Sequence, residues 1–499
     1  MIEINLFKKY FVWTLIAVLV IEILSFIGHQ VALLDWIVFF IIIIATFCLT
    51  LFQLKFGMLI ALTELIIGSK GHLFSIDFLN FTVSIRMGLF AVIFLAWLIT
   101  IFRQKNSRVF SNFSFVPLTA VFIIIVLNLI NALANHNSLS FIFQDINAWF
   151  YFAYVGIFID AIKDKNILHQ VWQVVLASIT WLGIESLALL YYFSHNFSQV
   201  EVVYKWIRDT GVGEITLLSG NVFRVFSQSH IYALIGLFIV FVYLYFNGQK
   251  GLKKPVPWYL SLIVILSLST TILSLSRSNW LGLAVAGIGL IIFVLAKFRV
   301  KLLELGKMLV LSIIMLSASL VLILGTVYFP IPTPPDIDAQ DMLKQRLQLD
   351  ESAVSSRWSQ LPVLESAILN HPIIGSGWGS SITYKSADPR IVEQTKDGMY
   401  TTFAFEWGWL DMVLKTGLLG LVVYIWLLIT IWLKGLAVFN QLQSLPEKSL
   451  IAGLLIGLVA LVTTHTFSPY LNHPLGIGYL LLMIGVFSFY QYNVRLLSE

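Results

Sequence analysis

The residues of this chain best placed to do chemistry are ionisable side chains set against apolar runs, and three arginines lead them. Arg277 lies in Ser274-Leu275-Ser276-Arg277-Ser278-Asn279-Trp280, between two apolar runs with almost no loop. Arg224 lies in Asn221-Val222-Phe223-Arg224-Val225-Phe226-Ser227-Gln228-Ser229-His230, just before another apolar run, where Ser227, Gln228 and Ser229 are candidate helix N-caps. A helix start attracts anions, so an arginine beside one suits a phosphate. Arg357, in Ser355-Ser356-Arg357-Trp358, belongs to a long polar segment able to fold over the other two. Guanidinium forks match phosphate oxygens bidentately, and a diphosphate needs at least two such partners. Together the arginines suggest a diphosphate pocket on one face of a membrane. Each also has a plainer reading: snorkelling or pairing with a buried acid for Arg277, a lone interfacial charge for Arg224, a solvated loop residue for Arg357.

Acids and bases are fewer. Glu406 and Asp411 open the apolar run after the long segment, and His465 and His473 flank the hairpin from Thr464 to Pro474. Any of the four could take a proton from an acceptor hydroxyl. Each also reads as a helix cap or an interfacial polar group. Glu185, in the middle of the run 170–193, must face protein or a cavity and could pair with an arginine for structure alone. Metal chemistry has little support: Asp336-Ile337-Asp338 lies in a proline-rich stretch and reads as solvated loop. No Walker, Rossmann or HExxH pattern is present, so no cofactor is expected.

Something must position these groups, and composition says what. Of the 499 residues 59% are hydrophobic and 11% charged, against roughly a quarter charged in a soluble protein. Lipid must therefore be the solvent. The single Cys48 forms no internal disulfide, and the net charge of +5 reflects basic loops, with no nucleic-acid partner implied. Apolar runs occur at 11–28, 32–54, 57–69, 87–102, 114–134, 147–162, 170–193, 228–246, 257–275, 280–296, 308–329, 408–433, 449–466 and 474–490. The run 57–69 is short and holds Glu64, so a re-entrant or buried segment is an alternative there; 147–162 is short as well. With the N-terminus inside, inner segments hold 18 Lys and Arg and short outer segments six, which favours two cytoplasmic termini. The expected fold is an all-α polytopic membrane protein with about fourteen transmembrane helices. It divides into membrane helices over 1–329, one large helical extracytoplasmic loop over 330–407, and further membrane helices over 408–499. The loop opens with Pro330, Pro332, Pro334 and Pro335, then reads as helices near 339–350 and 353–369, the second stopped by His371-Pro372. Gly375, Gly377 and Gly379 follow as a tight turn whose amides could approach a ligand.

At these residues the chain resembles the O-antigen ligase and polysaccharide polymerase superfamily. The Ser274–Ser278 stretch resembles its serine–arginine motif, and Phe223-Arg224 with Ser227–His230 resembles its upstream arginine segment. Arg357-Trp358 and His371–Gly379 look like the arginine and the hydrophobic-Gly-x-Gly stretch of its large outer loop. Glu406 to Gly420 resembles the segment closing that loop, and the likeness spans about 221–420 in order. The resemblance implies a bacterial inner-membrane, metal-independent, GT-C-like glycosyltransferase. Its donor would be an undecaprenyl-diphosphate-linked oligosaccharide in the outer leaflet, with arginines holding the departing diphosphate while an acceptor hydroxyl attacks with inversion. The family often carries His-Asn where this chain reads Glu406-Trp407, which turns the expectation from ligase towards polymerase. A polymerase would work alongside a chain-length regulator or a flippase. A transporter for an anionic lipid-linked substrate is the reading from another class, but it would place charge at mid-membrane depth and show repeated halves.

Overall fold

The computed structural model describes residues 6–78, 81–104, 107–195, 197, 199–219, 222–249, 258–330, 352–386, 395 and 397–498. The described chain is mostly helix. Its first half holds α1 (Lys9–Gln30), α2 (Ala32–Phe52), α3 (Leu54–Ile67), α4 (Ile85–Gln104), α5 (Phe115–Ala134), α6 (Leu139–Trp149), α7 (Val155–Ala161), α8 (Lys165–Ser194), α9 (Val200–Asp209) and α10 (His230–Gln249). The second half holds α11 (Trp258–Leu273), α12 (Arg277–Phe293), α13 (Leu302–Tyr328), α14 (Ser352–Asn370), α15 (Gly408–Gln441), α16 (Leu445–His465) and α17 (Pro474–Ser498). Three antiparallel hairpins interrupt them: β1 (Ser75–Phe78) with β2 (Phe81–Ser84), β3 (Glu214–Ser219) with β4 (Val222–Phe226), and β5 (Ile382–Lys385) with β6 (Met399–Thr402).

Every one of the apolar runs is helical, and twelve described helical stretches are long and apolar enough to cross a membrane. One of them is 139–161, where α6 and α7 join through a tight turn over Phe150–Tyr154. The exceptions are α3 and α11, of 14 and 16 residues. At 1.5 Å per residue α3 extends roughly 21 Å, short of the ~30 Å hydrocarbon core. It survives because it is enclosed: Met58, Leu62, Leu65 and Ile66 have no exposed surface. It is the buried segment that its length and Glu64 allowed. The helix read at 339–350 and the pair Asp336 and Asp338 lie outside the described residues; the helix read at 353–369 is α14.

The helices sort by what they face. α10 is buried along its whole span and α17 nearly so, while α1, α2 and α13 leave most of their surface open. Trp13, Leu33, Ile313 and Val321 project outward from that outer layer, an arrangement stable only against hydrocarbon. Because lipid is as apolar as the interior, these helices need no polar stripe, and Glu22, Thr46 and Ser319 within them are turned inward and buried. The α1–α2 and α5–α6 connections, the hairpins, the α11–α12 turn, the segment after α13 and the α16–α17 connection alternate with the remaining connections along the chain, so they gather at one membrane end. Among the described residues Glu185 forms no ion pair with an arginine. Its charged neighbour is Glu22, whose carboxylate accepts the Trp181 indole N–H.

Candidate active site

Three residues separate α11 from α12, and serines hold the turn they make. Leu275 takes a left-handed backbone, φ 45°, a conformation that costs about 1–2 kcal/mol in a non-glycine residue. The Ser274 hydroxyl donates to the Thr271 carbonyl at 2.7 Å and accepts the Ser276 N–H at 3.3 Å. Ser276 caps α12, its hydroxyl accepting from the Asn279 N–H and lying 2.9 Å from the Ser278 hydroxyl. Arg277 is thereby set as the first residue of α12, half-buried at the membrane end.

Arg224 reaches the same turn from β4, where it pairs across the hairpin with Thr216. Its Nε donates to the Ser274 carbonyl at 2.8 Å, and its guanidinium lies 4.7 Å from the Phe226 ring centre. A third element joins through Ser278 and Ser468, whose hydroxyls are 2.9 Å apart. Ser468 belongs to the α16–α17 connection, which also carries Tyr470 and His473. Burial pushes the Tyr470 phenol up, and the Arg224 charge opposes that shift. The strand bearing Arg224, the turn delivering Arg277 and the connection bearing His473 thus meet at one place.

The four candidate bases part company. His465 has no exposed surface; its Nδ1 accepts the Leu471 N–H at 3.1 Å and its ring packs edge-on to Trp409, 4.5 Å between centres. It shapes the connection from inside and offers a substrate no access. Asp411 is also buried, bound to Lys415 Nζ at 2.6 Å and to the Asn472 side-chain amide. Glu406 is exposed and paired with Arg357. The carboxylate read as a base and the arginine read as a phosphate ligand therefore engage each other between α14 and the start of α15, beside Trp358 and Trp407, whose rings are 5.6 Å apart. His473 alone combines solvent access with a site surrounded by charge. Desolvation first, then the Lys415 and Arg86 charges, hold its imidazole down at about 4. It is neutral at physiological pH and able to accept a proton.

Two buried ion pairs escaped the sequence reading. Lys415 Nζ lies 2.7 Å from Asp145 Oδ1 as well as binding Asp411, so one cation joins α6 to α15. A lysine inside an apolar run is the expected mark of a working group, whereas nothing in the sequence couples Asp145 to a residue 270 positions away. The other pair is Arg86 with Glu64, 3.0 Å apart, with Arg86 Nη1 also donating to the Ser69 carbonyl at 2.8 Å.

The glycine turn differs from expectation. Its amides serve the protein: Ser376 N–H donates to the Leu414 carbonyl at 2.7 Å, Gly377 N–H to the Lys415 carbonyl at 3.0 Å, and Gly379 N–H to Asp145 Oδ2 at 2.7 Å. Those carbonyls are free because α15 kinks at Gly417, φ 66°. Gly375, φ 73°, fits into the kink so closely that a Cβ would lie 2.5 Å from the Gly417 nitrogen and the Lys415 oxygen. Among the described residues no group of three or more His, Cys, Asp or Glu is placed to hold a metal ion.

A helical bundle with twelve long apolar helices, several of them open to the outside along their length, defines a polytopic membrane protein. Residues 262–425 match the family model described as O-Antigen ligase, in the region and order of the motifs around Arg277, Arg357 and Glu406. The matched stretch runs from within α11 to within α15, so ten helices precede it and two follow it, and its likeness is to an O-antigen ligase domain of a membrane protein. No curated protein matches the chain significantly.

Proposed function

We propose that this chain is a metal-independent, inverting glycosyltransferase that polymerises undecaprenyl-diphosphate-linked repeat units of a surface polysaccharide. It would work on the outer face of a bacterial cell membrane, with both termini cytoplasmic. An acceptor hydroxyl attacks the anomeric carbon of the donor as the bond to the diphosphate oxygen breaks. Negative charge grows on the departing lipid diphosphate, and Arg224 and Arg277 neutralise it, with Arg357 supplied from the outer loop. Preorganised donors of this kind are typically the largest single catalytic term. The hydroxyl proton passes to His473, which lies on the same connection as Ser468 and is exposed to an incoming acceptor. The reading rests on one observation: Arg224 is bound to the turn that places Arg277.

The test is a reconstituted assay with lipid-linked repeat units, read as a ladder of chain lengths. Arg224→Ala and Arg277→Ala should each lower turnover by a factor on the order of 10²–10³, with protein still reaching the membrane. Wild-type ladders from both variants would remove the diphosphate pocket. Persistence of turnover in EDTA belongs to the same proposal; its loss overturns metal independence. The description of the matched family favours a second reading, a ligase that moves finished glycan to a different acceptor. Lipid-linked repeats alone distinguish the two, since a polymerase extends them and a ligase needs the second acceptor.

A further inference from the structure

The other membrane end holds a cleft that the proposed reaction does not use. Its volume is about 380 Å³, and four cations, Lys55, Arg103, Arg108 and Lys163, line it with one acid, Asp160. That acid is already satisfied by neutral donors. Asp160 Oδ2 accepts the Trp97 indole N–H at 3.0 Å and the Ser107 hydroxyl at 2.8 Å, and Oδ1 accepts the Arg108 backbone N–H at 2.9 Å. Among the described residues none of the four cations is paired with a carboxylate. Arg108 lies over the Tyr492 ring at 5.1 Å and Lys55 over the Phe56 ring at 5.2 Å. Four like charges drawn into one cleft repel unless an anion joins them.

The cleft is amphipathic, with Phe52 and Ile101 among its walls. It sits where α2 and α4, two of the outward-facing helices, end; Phe52 is 75% and Phe102 78% exposed there. The opening therefore faces hydrocarbon as well as water, which suits a headgroup with acyl chains better than a free ion. The diphosphate site is remote: Arg86 and Arg103 lie near opposite ends of the 20-residue α4, roughly 25 Å apart along the helix.

We propose that this cleft binds the phosphate headgroup of an anionic membrane lipid. Basic pockets between membrane helices recognise acidic headgroups in this way. The experiment uses the detergent-purified full chain and reads lipid retention by native mass spectrometry and unfolding temperature. The additions are phosphatidylglycerol, phosphatidylcholine or inorganic phosphate. Phosphatidylglycerol should be retained and raise the midpoint, and the other two should not. Arg103→Gln with Lys163→Gln should weaken phosphatidylglycerol binding roughly 25-fold, about fivefold for each basic residue at about 1 kcal/mol. Arg299→Gln with Lys301→Gln, at the same membrane end outside the cleft, should leave it unchanged. Equal retention of phosphatidylcholine, stabilisation by inorganic phosphate to the same degree, or equal loss in the Arg299/Lys301 pair would each overturn the assignment.

Discussion

Replacing Lys415 by methionine tests the idea that one buried cation holds the closing helix in place. The change keeps length and volume and removes only the charge. In the native protein Nζ lies 2.7 Å from Asp145 and 2.6 Å from Asp411, and Lys415 and Asp411 are each 4% exposed. Without it two carboxylates face each other in the interior. Breaking a buried pair from one side costs about 3–5 kcal/mol, because the remaining charge is left uncompensated. The loss should be local, since Lys415 also shapes the kink that receives the glycine turn. Thermal unfolding should therefore show a lowered midpoint, and limited proteolysis should show earlier cleavage within 371–407. Adding Asp411→Asn to Lys415→Met should recover much of the deficit, since a neutral amide needs no counter-charge. A Lys415→Met protein as stable as wild type, or a double variant no better than the single, would refute the argument.

Other outcomes follow from the same geometry. Glu406→Gln should reduce turnover by less than about tenfold, because an exposed pair with Arg357 contributes at most about 1 kcal/mol; a loss near a thousandfold would restore Glu406 as the base. Free-enzyme kcat/KM should rise through a limb near pH 4 and stay level above it, since the His473 imidazole accepts a proton only when neutral; His473→Gln should abolish the limb, and an unchanged profile would exclude His473. Gly375→Ala should prevent the loop from docking, because its Cβ would meet the Gly417 nitrogen at 2.5 Å and its φ is 73°; protease resistance of 371–407 at the wild-type level would contradict this.

The membrane architecture was largely legible because lipid imposes a simple rule, and each apolar run is a helix. Where the rule was strained, at 57–69, the sequence already held the reason: Glu64 and a run too short to span. Arg224 and Arg277 stood out because arginine beside an apolar run is conspicuous, and the structure joins their segments at the Ser274 carbonyl. The relation of Arg357 to Glu406 was not, since each residue alone fits a role and only the folded loop pairs them. Asp145 was invisible for another reason. Its partner lies on a helix 270 residues on, and no local pattern encodes such a contact. His465 and His473 looked equivalent in sequence, and burial separates them: one ring is sealed beneath Trp409 while the other keeps solvent access.

The interlock of Gly375 with the bend at Gly417 has a mechanical consequence. A strap tied down at its downstream end cannot lift like a hinged door. Gly375 cannot move away without bending α15 at Gly417, so the 375–379 turn and the closing helix move as one body.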